Sequence, residues 1–268
     1  IVRLNTNGAV DSSFLSGTGF NDGAVHAIHV SSGGILIGGS FSDKYKNLDV
    51  NRLVLLNSNG TLNSNFDIGA GPSSATIYTL CESSDSFFVG GSFSLFDDLK
   101  QGKLAKLSTT GELDSGYLTS GVGFDKAVDE LIPLADGSFI AFGSFTQFNG
   151  KLANRIAKLT SKGELDTTFN PNQTGADSTI KGVLVQSDGK LLVAGNFTKY
   201  NGASVKRLVR LNSNGTIDTS FNVGTGFNYM VYSIALQPDG KIIAAGSFTS
   251  YKGAAVKKVI RLQPNGDV

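Results

Sequence analysis

Carboxylates recur in one setting along this chain: Asp11, Asp114, Asp166 and Asp218 each stand three residues before an aromatic. A cation site would need several of them to converge on one ion. Distributed one per segment, they are expected instead to satisfy turn amides. Glu82, Asp129 and Glu130 form a second set, of the kind glycoside hydrolysis uses in pairs across a scissile bond. Asp129 and Glu130 are adjacent on an extended segment, so their side chains diverge. His26 and His29 lie three apart on a predicted strand, face opposite ways and cannot share a metal. His29 shares a column with Cys81, Ile132, Leu184 and Ala235, which reads as core. Cys81 is the single cysteine, which excludes an intrachain disulfide framework and a cysteine zinc site. It reads as a small buried hydrophobe. Gly17-Thr18-Gly19-Phe20, Gly121-Val122-Gly123-Phe124 and Gly224-Thr225-Gly226-Phe227 lack the third glycine and following helix of a dinucleotide fingerprint. The expectation is a protein with no catalytic residue, no metal and no cofactor.

The composition narrows the partners. Twenty-three basic against 22 acidic residues leave a net charge of +1, so no bulk field attracts nucleic acid or an anionic membrane. No apolar run approaches the roughly 18 residues of a membrane span, so no insertion is expected. Basic residues recur as Arg52, Lys103, Arg155, Arg207 and Lys258, and again as Arg3, Lys106, Lys158, Arg210 and Arg261. Solvated, carboxylate-paired outer strands would explain both columns. The chain starts at Ile1 and reads as a segment of a longer protein.

The elements that position these residues repeat. Phe41, Phe93, Phe145, Phe197 and Phe248 are spaced by 52, 52, 52 and 51. Leu4, Leu56, Leu107, Leu159, Leu211 and Leu262 step by 52, 51, 52, 52 and 51. The segments are 1–52, 53–103, 104–155, 156–207, 208–258 and a partial 259–268, read as one domain over 1–268. Each unit reads as four short strands. The first is typified by Val231 to Ile234, the second by Lys241 to Phe248, the third by Leu208 to Leu211 and the fourth by Ile217 to Phe221. Asn214-Gly215 between apolar runs is a hairpin signal. Gly or a turn cluster interrupts every eight to twelve residues, so no helix is expected. Four-stranded units at this period predict an all-β protein, a five-bladed β-propeller of antiparallel blades. Small pairs such as Gly38-Gly39, Gly90-Gly91 and Ala245-Gly246 would allow close backbone packing. Residues 1–14 and Val259 to Leu262 compete for the third position of the last blade. A ring of six or more blades is the alternative.

Arg-Leu-Asn-x-x-Gly-x-x-Asp-x-Ser-Phe, then Gly-x-Gly-Phe, Pro-Asp-Gly-Lys and Gly-Ser-Phe, clearest between Arg210 and Phe248, resembles the bacterial delta-60 β-propeller repeat. The resemblance implies a non-catalytic part of a large secreted or surface-exposed bacterial protein, with a phage particle as the other setting. Departures occur at Ser32-Gly33, Ser84-Asp85, Asn63 and Tyr117.

Topology places the long connections on one face: the inter-repeat loops near 15–24, 67–76, 118–127, 170–179 and 222–230, and those at 42–51, 94–102, 146–154, 198–206 and 249–257. That face carries an aromatic per repeat, Tyr45, Phe96, Phe148, Tyr200 and Tyr251, and three tyrosines suit a half-exposed setting. Asn228-Tyr229-Met230 occurs in the last full repeat alone. These eight residues are the candidate surface for a protein or glycan partner. A structural spacer and a propeller-type glycoside hydrolase are the alternatives, and the spare third strand could pair with a neighbouring domain.

Overall fold

The computed structural model describes every residue except 15, 16, 74, 84, 119–121, 172 and 173. Ser84 of the second repeat's turn, Gly121 of one Gly-x-Gly-Phe segment, and Asn172 and Gln173, part of a sequon-like Asn-Gln-Thr, lie outside the described residues.

Each repeat forms five strands. The first contributes β1 (Val25–Ser31), β2 (Gly34–Gly39), β3 (Lys44–Tyr45), β4 (Leu48–Asp49) and β5 (Leu53–Leu56). The second has β6 (Ile77–Ser83), β7 (Ser86–Gly91), β8 (Leu95–Phe96), β9 (Leu99–Lys100) and β10 (Leu104–Ser108). In the third are β11 (Val128–Pro133), β12 (Phe139–Gly143), β13 (Gln147–Phe148), β14 (Lys151–Leu152) and β15 (Ile156–Leu159). The fourth comprises β16 (Ile180–Val185), β17 (Leu191–Gly195), β18 (Lys199–Tyr200), β19 (Ala203–Ser204) and β20 (Leu208–Leu211). The fifth ends the series with β21 (Val231–Leu236), β22 (Ile242–Gly246), β23 (Ser250–Tyr251), β24 (Ala254–Ala255) and β25 (Val259–Leu262). The first, second and fifth strands of each repeat build a three-stranded sheet with the second in the middle; the third and fourth make a separate two-stranded hairpin. No helix occurs among the described residues.

The pattern of side chains explains the layering. β7, β12 and β17 are apolar and almost wholly buried, as befits a strand hydrogen-bonded on both edges and covered on both faces. β1 alternates half-buried and exposed residues, the signature of a strand with one wet side.

Two features differ from the four-stranded expectation. The connection between the second and third strands holds the small hairpin, such as β3–β4. The fourth strand shrinks to a single bridge: Leu56 with Leu62, Leu107 with Leu113, Leu211 with Ile217. Its cause lies one residue further on. Asp114, Asp166 and Asp218 accept the backbone amide two residues ahead at 3.0, 2.9 and 3.0 Å, which curls the chain away from the ladder.

The chain divides into two compact units: residues 1–141 with 159–164, and 142–158 with 165–268. In the first unit, residues 1–14 fold as a hairpin bridged at Leu4 and Val10, and Phe14 packs into a cluster with Ile37, Phe41, Tyr45 and Leu56. In the second, β25 takes the third position of the last sheet, pairing Leu262 with Ile242 and Ile260 with Ala244. That settles the competition for this position in favour of 259–262.

Candidate binding surface

The five loop aromatics are buried, none more than 1% exposed, which corrects the half-exposed setting expected of Tyr45, Tyr200 and Tyr251. The tyrosines have a different reason for their hydroxyl. Tyr45, Tyr200 and Tyr251 donate to the carbonyls of Gly60, Gly215 and Gly266 at 2.8, 3.2 and 2.6 Å. Each ring thus ties its small hairpin to the turn after the fifth strand of its repeat, and burial raises the phenol pKa. Phe96 and Phe148 fill the same slots by packing alone. Tyr251→Phe is expected to cost about 1 kcal/mol in urea unfolding, since a buried acceptor loses its donor; an unchanged midpoint would show that the bond contributes nothing.

The Gly-x-Gly-Phe loops are pinned in the same way. Phe227 bridges Tyr251 and lies 4.4 Å from the Phe248 ring, and Phe20 lies 4.1 Å from that of Phe41. Asn228 proves to be a loop tie: its amide oxygen accepts the Thr249 and Ser250 amides, both at 2.9 Å. Asp177 does the same for Thr198 and Lys199 in the fourth repeat, and Asp22 for Ser42 and Asp43 in the first. Met230 is half-buried, whereas Tyr229 stands 59% exposed. Of the eight residues proposed from the sequence, Tyr229 is the one whose ring faces water.

The repeated charges are also occupied. Arg3–Asp11, Lys106–Asp114, Lys158–Asp166 and Arg210–Asp218 form ion pairs at 2.8, 2.8, 3.6 and 2.7 Å. The other basic column departs from the carboxylate-paired expectation. Arg52, Arg155 and Arg207 donate to backbone carbonyls of the following inter-repeat loop, those of Ala75, Ala176 and Phe227. Loop carbonyls at that point need donors, and a guanidinium reaches them.

His29 is not core: its Nε2 lies 3.3 Å from Glu82, with both side chains 27% exposed. Cys81 is buried, which pushes its thiol up to about 12. Among the described residues no group of three or more His, Cys, Asp or Glu side chains could hold a metal ion.

A feature missed by the sequence reading lies on the first strands. In four repeats the register of first against second strand slips at one residue, between Val25 and Ala27, Ile77 and Thr79, Ile180 and Gly182, and Val231 and Ser233. The extra residues are His26, Tyr78, Lys181 and Tyr232. Their flanking residues Ile77, Ile180 and Val231 are buried, while the bulged side chains are exposed, Tyr232 at 54%. A bulge re-aims its side chain, and it recurs here at a column whose chemistry changes in nearly every copy. In the first unit His26 meets Tyr78 edge to face, with ring centroids 5.9 Å apart. The visible signal was this column's variety beside an invariant β-branched neighbour.

The family described as "Domain of unknown function (DUF5122) beta-propeller" matches residues 1–14, 31–66, 134–169, 186–221 and 237–268, more than half of the chain. No curated protein matches it. Among solved structures, PorZ, a surface component of the type-IX secretion system of Porphyromonas gingivalis, superposes with a TM-score of 0.53 at 11% identity, over 97% of this chain and 35% of PorZ. The computationally designed protein Ika8 does so with a TM-score of 0.51 at 12% identity, over 93% of this chain and 74% of Ika8. At these identities the likeness is one of fold.

Proposed function

The chain belongs to the DUF5122 β-propeller family, and on that premise we propose that it is a non-catalytic interaction module whose five sheets serve as blades of one propeller of the delta-60 type. One observation carries this reading. The repeated acids and loop aromatics are consumed in holding the repeats together, while the bulged column presents an exposed imidazole at His26, a phenol at Tyr78 and Tyr232 and an ammonium at Lys181. A rigid scaffold that keeps its structural columns constant and varies one aimed column has the layout of a recognition surface. Tyr229, three residues before Tyr232, adds a second exposed ring in the second unit. Aromatic faces with polar tips suit a glycan or a protein surface. The delta-60 resemblance supports a secreted or surface-displayed setting, and the surface location stated for PorZ agrees with it.

The test is a binding screen of the intact chain against bacterial surface glycans and proteins, repeated with Tyr229→Ala/Tyr232→Ala. Truncating a central aromatic costs about 2 kcal/mol, so affinity should fall roughly thirtyfold. Binding undiminished by the pair would place recognition elsewhere. The spacer reading draws on the burial of all five loop aromatics, and an empty screen would favour it.

A further inference from the structure

In most copies of the third-strand and turn segment, a basic residue and an aspartate work together over an aromatic ring. Arg3 lies over Phe14 at 5.1 Å, Lys106 over Tyr117 at 5.7 Å and Arg210 over Phe221 at 4.7 Å, each beside its aspartate. These rings are buried, at 7, 4 and 6% exposure. The first repeat lacks both partners. Leu55 stands in the basic column and Asn63 in the aspartate column, so among the described residues no cation covers Phe66, which is left half-buried. A cavity of about 540 Å³ opens at this place. The equivalent site in the third repeat, where Lys158 and Asp166 are present, has about 10 Å³.

The cavity has an apolar wall of Leu48, Leu55, Leu62 and Phe66, and Asp43, Asp49 and Asp67 are among the residues that line it. Asp49 is already paired with Lys44 at 2.6 Å, and Asp67 accepts the Gly69 amide at 2.9 Å. Even so, three of the lining residues are acids, at a site from which the column's own base is missing. The volume lies within the range of small-molecule sites. An aromatic face without its cation, an apolar wall and acidic surroundings are complementary to one ligand chemistry.

We infer that this cavity binds a small organic ammonium ion, whose apolar stem lies along Leu55 and Leu62 and whose charge takes the place that Lys106 holds over Tyr117 in the second repeat. This site is separate from the bulged column, so it stands or falls independently of the function proposed above.

The probe is hexylammonium, with 1-hexanol as its neutral counterpart, titrated into the intact chain and followed through the Phe66 ring and Leu55 methyl resonances. Hexylammonium should shift both and bind at least tenfold more tightly than hexanol. L55K/N63D, which installs the pair already present in the second and third repeats, should abolish the binding. Should that variant fail to fold, the surface pair Asp43→Asn/Asp67→Asn decides: hexylammonium affinity should drop severalfold while hexanol is unaffected. Equal binding of hexanol, binding retained by L55K/N63D, or absence of shifts at Phe66 would overturn the assignment. So would capture of a lysine-containing peptide when free hexylammonium does not bind.

Discussion

Replacing Gly195 by valine is expected to destabilise the protein by about 3 kcal/mol, a large fraction of a domain's stability. Gly195 closes the central strand β17, opposite Ile180 of β16. A Cβ there would stand 2.2 Å from the Thr179 carbonyl oxygen and 2.9 Å from the Ile180 Cα. Both are backbone atoms of the paired strand, which cannot withdraw without giving up the ladder at that end. The same collision recurs at Gly39, Gly91 and Gly246, with a carbonyl oxygen 2.0, 2.2 and 2.2 Å away, so the constraint belongs to the repeat. Urea unfolding measures it, with Gly202→Ala as control. Gly202 has a φ of +79° but nothing within 4 Å of its missing Cβ. Alanine there should therefore cost about 1 kcal/mol of backbone strain and nothing in contact. If valine at 195 costs no more than alanine at 202, close approach is not what selects glycine.

The second large effect is expected at Asp218. Its carboxylate is 7% exposed and meets Arg210 at 2.7 Å, Lys190 at 3.0 Å and the Ser220 hydroxyl and amide at 2.7 and 3.0 Å. Asp218→Ala should cost about 3 kcal/mol, because Arg210, itself only 11% exposed, is left without its counter-charge. The acid also makes stability depend on pH. Burial opposes ionisation, but the Ser220 hydroxyl, Lys190 and Arg210 outweigh it and hold Asp218 far below the ordinary carboxylate range. A depressed folded-state pKa contributes in full above the unfolded value of about 3.9 and is lost as pH falls below it. Asp114 and Asp166 are lowered in the same direction, Asp114 chiefly by Lys106, Asp166 by the Thr168 hydroxyl and amide against the cost of burial. The melting temperature should hold from pH 7 to about 4 and then fall. Asp218→Asn should start lower and descend less steeply; parallel curves for the two proteins would remove Asp218 from the acid response.

Much of the architecture was legible because a repeat multiplies weak signals. A leucine every 52 residues, a phenylalanine at the same interval and glycine pairs at strand ends together specify strands of given length and order. Asn214-Gly215 announces its turn, and the turn forms, with the Gly215 amide donating to the Asn212 carbonyl at 2.8 Å. The failure of the fourth strand was less visible, since Asp218 can cap a turn or sit in a strand, and the choice depends on whether Arg210 and Lys190 are there to hold it.

The candidate surface was read least well, for a physical reason. A tyrosine's ring and hydroxyl suit both a wet loop and a dry slot with one acceptor. Only the position of the Gly60, Gly215 and Gly266 carbonyls decides between them, and those carbonyls are 15 residues away in sequence. The bulges at His26, Tyr78, Lys181 and Tyr232 are a property of pairing between two strands; the first strand alone shows a varied column beside a β-branched residue, which does not distinguish a bulge from a regular strand position. The sequence by itself determined the period, the strands, the turns and the all-β class, because these depend on neighbours within a few residues. Tertiary structure decided which aromatics are buried, which acids are paired and where the first repeat is hollow, because burial and pairing depend on groups that folding brings together.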